Sequence, residues 1–324
     1  MNFIFQFELA RAGGGVSDFY SAEENVISRK MPKTDWNFSK QGYIDVVGGR
    51  IWYGVVSGGN ALATPLLAIH GGPGMSHDYL YPLVDLADER SIVFYDQLDA
   101  GLSDRPNDPS NWRIERFLFE IDVVRENLDL KTLSIFGNSW GGTLAAAYTS
   151  SHPMGVEKLV LSSPLLNTER WVADNALYRE SLPDEIQKVM LDCEITGQTN
   201  SKAYQDAVDM FYKRHLCRSD PWPSYVTDTF EALNNKCYVG MWGPNEFTCT
   251  GVLRGYDGTA GLSSIEVPTL MTFGEHDEAA PASCREYALA IPSVSCTEFA
   301  DASHLAFVED RDNYISVVRC VLSN

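Results

Sequence analysis

The chain has 324 residues, enough for a sizeable core, and its 44% hydrophobic and 21% charged residues suit a soluble globular protein. A net charge of −19 leaves no basic face for phosphates, so no nucleic-acid partner is expected. No apolar run is long enough to span a bilayer, which excludes a membrane helix, and seven widely spaced cysteines with no C-x-x-C pair suit reduced thiols in a reducing compartment.

Residues 1–40 show no clear period and are read as an N-terminal extension. Met1 to Leu9 is apolar but short, lacks a basic start and is interrupted by Glu8, which makes it a poor signal peptide. The expected compartment is the cytoplasm. Two β-rich runs, Tyr43 to Val47 and Arg50 to Val56, flank Gly48-Gly49 and predict a hairpin. Pro65 to Ile69 and Ser91 to Tyr95 are short continuous apolar runs, as buried parallel strands require. The first ends in His70-Gly71-Gly72-Pro73-Gly74 and the second in Asp96-Gln97. Helical spacing runs from about Ile114 to Leu128.

A strand-like run, Thr132 to Phe136, then leads into Gly137-Asn138-Ser139-Trp140-Gly141, and a helix-like run, Thr143 to Tyr148, leaves it. This is the G-x-S-x-G form of a nucleophile elbow. A serine on a tight strand-to-helix turn projects its hydroxyl out of the sheet, and glycines two positions either side let sheet and helix approach without Cβ clashes. The unpaired N–H groups of the helix favour negative charge developing at the serine.

Lys158 to Ser162 is the next strand, so strand and helix alternate and predict a mostly parallel central sheet with helices on both faces. From 164 to 262 no strong buried strand appears. Helical stretches at Trp171 to Glu180, Pro183 to Leu191, Ala203 to His215 and Tyr225 to Met241 predict a mostly helical cap over the sheet's carboxyl edge, where such sheets bind ligands. Strands resume at Pro268 to Phe273 and Ser295 to Phe299, with a helix after Pro281 and a closing helix over Asn313 to Leu322. The core is therefore assigned to 41–163 and 263–324, split by the cap.

A serine hydroxyl needs a base to take its proton, and the base needs an acid to orient it. On this architecture the chain order is serine, acid, histidine. Ser139, Asp277 and His304 meet it, and each follows a predicted strand. His152 lies past the elbow helix, His215 lies in the cap, and His276 adjoins the acid and is read as structural. Asp301 is a rival acid, read instead as a turn residue. The oxyanion donors are expected to be the backbone N–H groups of Trp140 and Gly72.

These motifs resemble the proline iminopeptidase family of α/β-hydrolases, in particular its tricorn-interacting aminopeptidase branch. The matching segments are His70 to Leu80, Asp96-Gln97 with Gly101 and Ser103, the elbow, Trp242 to Phe247, Gly274 to Glu278 and Ser303-His304. The resemblance implies the α/β-hydrolase fold and cleavage of an amide after a residue with a free amino group, often proline. No metal or cofactor is expected. The resemblance also implies that Glu246 and Glu278, at matching positions, bind the substrate's amine. The family's D-Q-x-G-x-G-x-S has Asp99 at its first glycine here, followed by Ala100, which leaves the preference for proline open.

The expected activity is that of a serine hydrolase, an aminopeptidase or amino-acid amidase acting on a small peptide or aminoacyl amide. An esterase or tailoring hydrolase acting on a small amino-acid-derived metabolite is the alternative. A binding protein that has lost catalysis is the third reading, and the intact Ser139, Asp277 and His304 speak against it.

Overall fold

In the computed structural model the described residues are 36–60, 62–199 and 201–323, so most of the N-terminal extension lies outside them. Eight strands form one sheet: β1 (Lys40–Val46), β2 (Gly49–Val56), β3 (Leu66–Ile69), β4 (Ile92–Asp96), β5 (Leu133–Asn138), β6 (Val156–Ser162), β7 (Thr269–Gly274) and β8 (Val294–Phe299). Their order in the sheet is β1-β2-β4-β3-β5-β6-β7-β8. β2 pairs antiparallel with both β1 and β4, and every other pair is parallel.

β3, β4, β5 and β7 are buried along their whole length, because the sheet is covered on both faces. The period-two alternation divides their side chains between two cores. Leu67, Ile69, Ile135, Leu159 and Leu161 face one side, and Leu66, Ala68, Phe136 and Val160 face the other. The first core is covered by α1 (Ile114–Asn127) and α2 (Trp140–Ser150). Closing the second are a 3-10 run over His77–Asp88 and, at the chain's end, the last helix, Arg311–Ser323. Sequence reading missed the 3-10 run, since Pro82 and its polar ends hide any helical period. Trp36 and Phe38, which precede the expected start of the core at residue 41, stack on each other and pack against Phe94 in this second core.

Between β6 and β7 lie α3 (Thr168–Glu180), α4 (Asp184–Ile195), α5 (Lys202–His215), α6 (Ser224–Glu231) and α7 (Asn235–Met241). Met190, Tyr204, Val208, Phe211 and Phe247 give these inserted helices a small core of their own. The single helical stretch expected from Tyr225 to Met241 is two helices instead. Asn234 interrupts it: its N–H donates to the Gly74 carbonyl (2.9 Å), and its side-chain amide donates to the Asp99 carbonyl and to Asn107 Oδ1 (2.9 Å each). Those bonds replace helical ones and tie the insertion to two loops of the sheet edge. α8 (Pro281–Ala288) and the short α9 (Ala306–Glu309) precede α10 (Arg311–Ser323). Among the described residues no helix is long and apolar enough to cross a membrane.

Candidate active site

The carboxyl ends of β3, β5, β6, β7 and β8 converge, and each hands a functional group to one edge of the sheet. Ser139 follows β5 with φ +55° and ψ −120°, a backbone conformation few non-glycine residues adopt. The turn is held closed from both sides. The Ser139 N–H donates to the Ser162 carbonyl (3.0 Å), and the Ser139 carbonyl accepts from Gly142 and Thr143. A Cβ on Gly141 would overlap the Ile69 carbonyl, and one on Gly71 would lie 2.9 Å from the Ser139 Cβ. Glycine at these positions is a requirement of close approach.

Asp277 follows β7 and is fully buried. Its Oδ1 accepts from His304 Nδ1 (2.8 Å) and the Ala279 N–H (2.8 Å). Its Oδ2 accepts from Ser163 Oγ (2.6 Å) and the Gly274 N–H (3.1 Å). Four donors thus fix the carboxylate, and the carboxylate fixes the imidazole. His304 follows β8, with the Trp171 ring packed nearly perpendicular to its own. His304 and Ser139 line the same cavity, with no hydrogen bond between them. Asp301 lies apart on the surface in a left-handed turn (φ +56°), its N–H bonded to Glu275 Oε2.

Gly72 has φ +45° and lines the cavity, and the N–H groups of Gly72 and Trp140 donate to no acceptor among the described residues. Their loops are cross-tied. The indole of Trp140 donates to Gln97 Oε1 (2.8 Å), and the Gln97 amide donates to the His70 carbonyl (3.0 Å). The Tyr79 hydroxyl accepts from the Gly71 N–H (2.6 Å) and donates to Asn138 Oδ1 (2.8 Å). Sequence reading missed Tyr79, Asn138 and Ser163. The first two sit inside matched motifs, whereas Ser163 carries only the signal of following a strand.

The cavity has a volume of about 680 Å³ including its mouth and is lined by Ser139, His304, Glu246 and Glu278 together with apolar side chains. Glu278 is buried, its Oε1 lies 3.6 Å from His304 Nε2, and its Oε2 has no partner. Burial first, then the neighbouring Glu246 and Asp277, pushes its carboxyl well above the usual range. Glu246 hydrogen-bonds closely with the Tyr238 hydroxyl, and burial pushes it up too, against the opposing pull of Tyr238 and His304. Among the described residues that line the cavity there is no lysine or arginine.

The inserted helices reach the site through α5. Its last residue, His215, offers its carbonyl to the N–H groups of both Glu278 and His304 (3.1 Å each), and its ring Nδ1 bonds the His276 carbonyl (2.8 Å). Asp99 is buried at φ +66° and does not line the cavity. Its Oδ1 accepts from the Asn107 N–H and its Oδ2 from the Trp112 indole. Glu275, His276 and Asp301 each bring one potential metal-ligand atom within 4.8 Å of the others, but none of the three lines the cavity.

A family model described as the alpha/beta hydrolase fold matches residues 64–311. A proline iminopeptidase of Heyndrickxia coagulans is 37% identical over 279 residues, covering 86% of this chain and 96% of that protein. One from Saccharolobus solfataricus is 35% identical, covering 86% and 91%. The chain belongs to the proline iminopeptidase family of α/β hydrolases. Among solved structures it is similar to VinJ (32% identity, TM-score 0.85, 88% of this chain and 99% of that one). It is also similar to the proline iminopeptidase of Mycobacterium smegmatis (29%, TM-score 0.82, 88% and 98%). Membership makes this family protein an enzyme, a serine hydrolase.

Proposed function

We propose that this enzyme cleaves the amide bond after an N-terminal residue whose α-amino group is free, through an acyl-enzyme on Ser139. The observation that carries the reading is the charge of the cavity. It holds Glu246 and Glu278 beside Ser139 and His304 with no lysine or arginine in its lining, so two buried carboxyl groups want a cation that the protein does not supply. A substrate ammonium supplies it, and the names of the relatives agree.

In this scheme His304 Nε2 takes the Ser139 proton as Oγ bonds to the scissile carbonyl carbon. The oxyanion forms against the N–H groups of Gly72 and Trp140, and His304 then gives the proton to the leaving amine as the C–N bond breaks. Water repeats the cycle on the acyl-enzyme. Asp277 holds the imidazole tautomer throughout. No metal or cofactor is needed for these steps. Residues 164–262 act as the cap that presents Glu246. Met75, Leu216, Phe230 and Leu233 form an apolar wall suited to a compact first residue such as proline or alanine. The seven free thiols suit a cytoplasmic location.

The test is turnover of prolyl and alanyl arylamides by the parent enzyme and by Ser139→Ala and His304→Ala. Loss of at least about a thousandfold in kcat from either change supports the assignment. Turnover within tenfold of the parent by Ser139→Ala contradicts it.

A further inference from the structure

Glu278 does more in this site than wait for an amine. Its Oε1 faces His304 Nε2 at 3.6 Å, and Nε2 is the atom that has to accept the serine proton. Its other oxygen is buried without a partner, and the charges that act on it most, Glu246 and Asp277, are both acidic. The groups facing this pair are Asp277 from its own loop, Glu246 from the segment after α7, and the hydroxyls of Tyr212 on α5 and Tyr238 on α7. α5 adds the carbonyl of His215, already committed to two N–H groups. Glu246 and Asp277 bring negative charge, the Tyr238 hydroxyl already donates to Glu246, and none of these groups brings a positive charge. A bare carboxylate here is costly, and His304 is the basic group within ion-pair distance.

We infer that in the ligand-free enzyme the buried His304–Glu278 pair holds one proton on Nε2, facing Oε1 at ion-pair distance, and that the incoming substrate's ammonium displaces it to solvent. This rests on the amine-subsite reading above. With the proton in place, the lone pair of Nε2 is occupied and Ser139 has no base. An ammonium seated between Glu246 and Glu278 replaces the missing positive charge. It also repels a neighbouring imidazolium, so the proton leaves and His304 becomes a base. The amine then contributes to kcat as well as to binding. Substrates without a charged amine meet a resting enzyme whose base is blocked.

The consequence is a proton count. Alaninamide is titrated calorimetrically into the Ser139→Ala protein at pH 7, in buffers of different ionisation heat. The ligand's own amine, with a pKa of about 8, arrives largely charged. About one proton is expected to leave per ligand bound, and close to none in the Ser139→Ala, Glu278→Gln double variant. Binding without proton release overturns the inference and leaves the amine subsite standing. Equal affinity for alaninamide and N-acetylalaninamide removes the subsite, and the inference with it.

A second readout uses Ser139 itself. A neutral fluorophosphonate is expected to label Glu278→Gln roughly tenfold faster than the parent enzyme at pH 7, because the amide cannot hold the proton on Nε2. The same variant loses activity on free-amine arylamides. Equal or slower labelling overturns the inference.

Discussion

Ser163 donates to Asp277 Oδ2 at 2.6 Å and sits 3.2 Å from the His304 carbonyl, so one hydroxyl touches both the acid and the backbone of the histidine it orients. Ser163→Ala leaves Oδ2 with the Gly274 N–H as its remaining partner. A hydrogen bond to a charged group contributes about 1.5–3 kcal/mol, so kcat/KM on an alanyl arylamide is expected to fall roughly ten- to a hundredfold. An unchanged value would show that the carboxylate is held without it. Glu246→Gln and Glu278→Gln are each expected to lose about as much on free-amine substrates, by the same bond strength. Gly141→Ala tests the elbow itself. Its Cβ would overlap the Ile69 carbonyl, and overpacking of this kind costs about 1–3 kcal/mol, to be read as a lowered urea midpoint. Ser139, Asp277, His304 and the glycines were legible because each has a fixed place in a motif and follows a strand. Ser163 was not, because a lone serine after β6 looks like any other turn residue until the fold brings Asp277 to it.

At the level of elements, the sheet and its flanking helices could be read because burial on both faces writes itself into the sequence as continuous apolar strands, as in Leu66–Ile69 and Ile92–Tyr95. The inserted helices were harder. The break at Asn234 is set by bonds to Gly74, Asp99 and Asn107, partners far away in sequence, so local spacing predicted one helix where there are two. The role of α5 was hidden for the same reason: His215 is an ordinary helix-end residue until its carbonyl meets Glu278 and His304. His215→Phe keeps a ring to stack on Tyr178, whose centroid lies 4.5 Å away, but removes the bond to the His276 carbonyl. One neutral hydrogen bond is worth about 0.5–1.5 kcal/mol. The variant is therefore expected to fold and to lose roughly two- to tenfold in kcat, with KM little changed. A change confined to Tm would limit His215 to a structural role.

Across the whole molecule, acid stability reports on buried imidazoles. Burial lowers His215 from its ordinary value of 6.5, against weaker raising contributions, and burial lowers His70 in the same way. Each binds a proton more readily unfolded than folded. Their contribution to stability is complete above 6.5 and is lost as the pH falls from there through the lower folded values. Each such group changes stability by up to about 1.4 kcal/mol per pH unit. Buried carboxyls held above their usual range, such as Glu120 and Glu278, act in the opposite direction, so the test is a difference: between pH 8 and pH 5 the urea midpoint of His215→Phe is expected to fall less, or rise more, than that of the parent. An equal change in the variant would assign the effect to other groups.

The net charge of −19 and the acidic cavity act in the same direction, drawing cationic substrates toward a site whose own carboxyl groups lack a cation. The most direct measurement is therefore kcat/KM for an alanyl arylamide and for its N-acetyl counterpart on the parent enzyme. A ratio of at least about a hundred in favour of the free amine is expected, since the acetylated substrate brings no charge to Glu246 and Glu278. Equal rates would contradict an amine-directed amide hydrolase and favour the esterase reading.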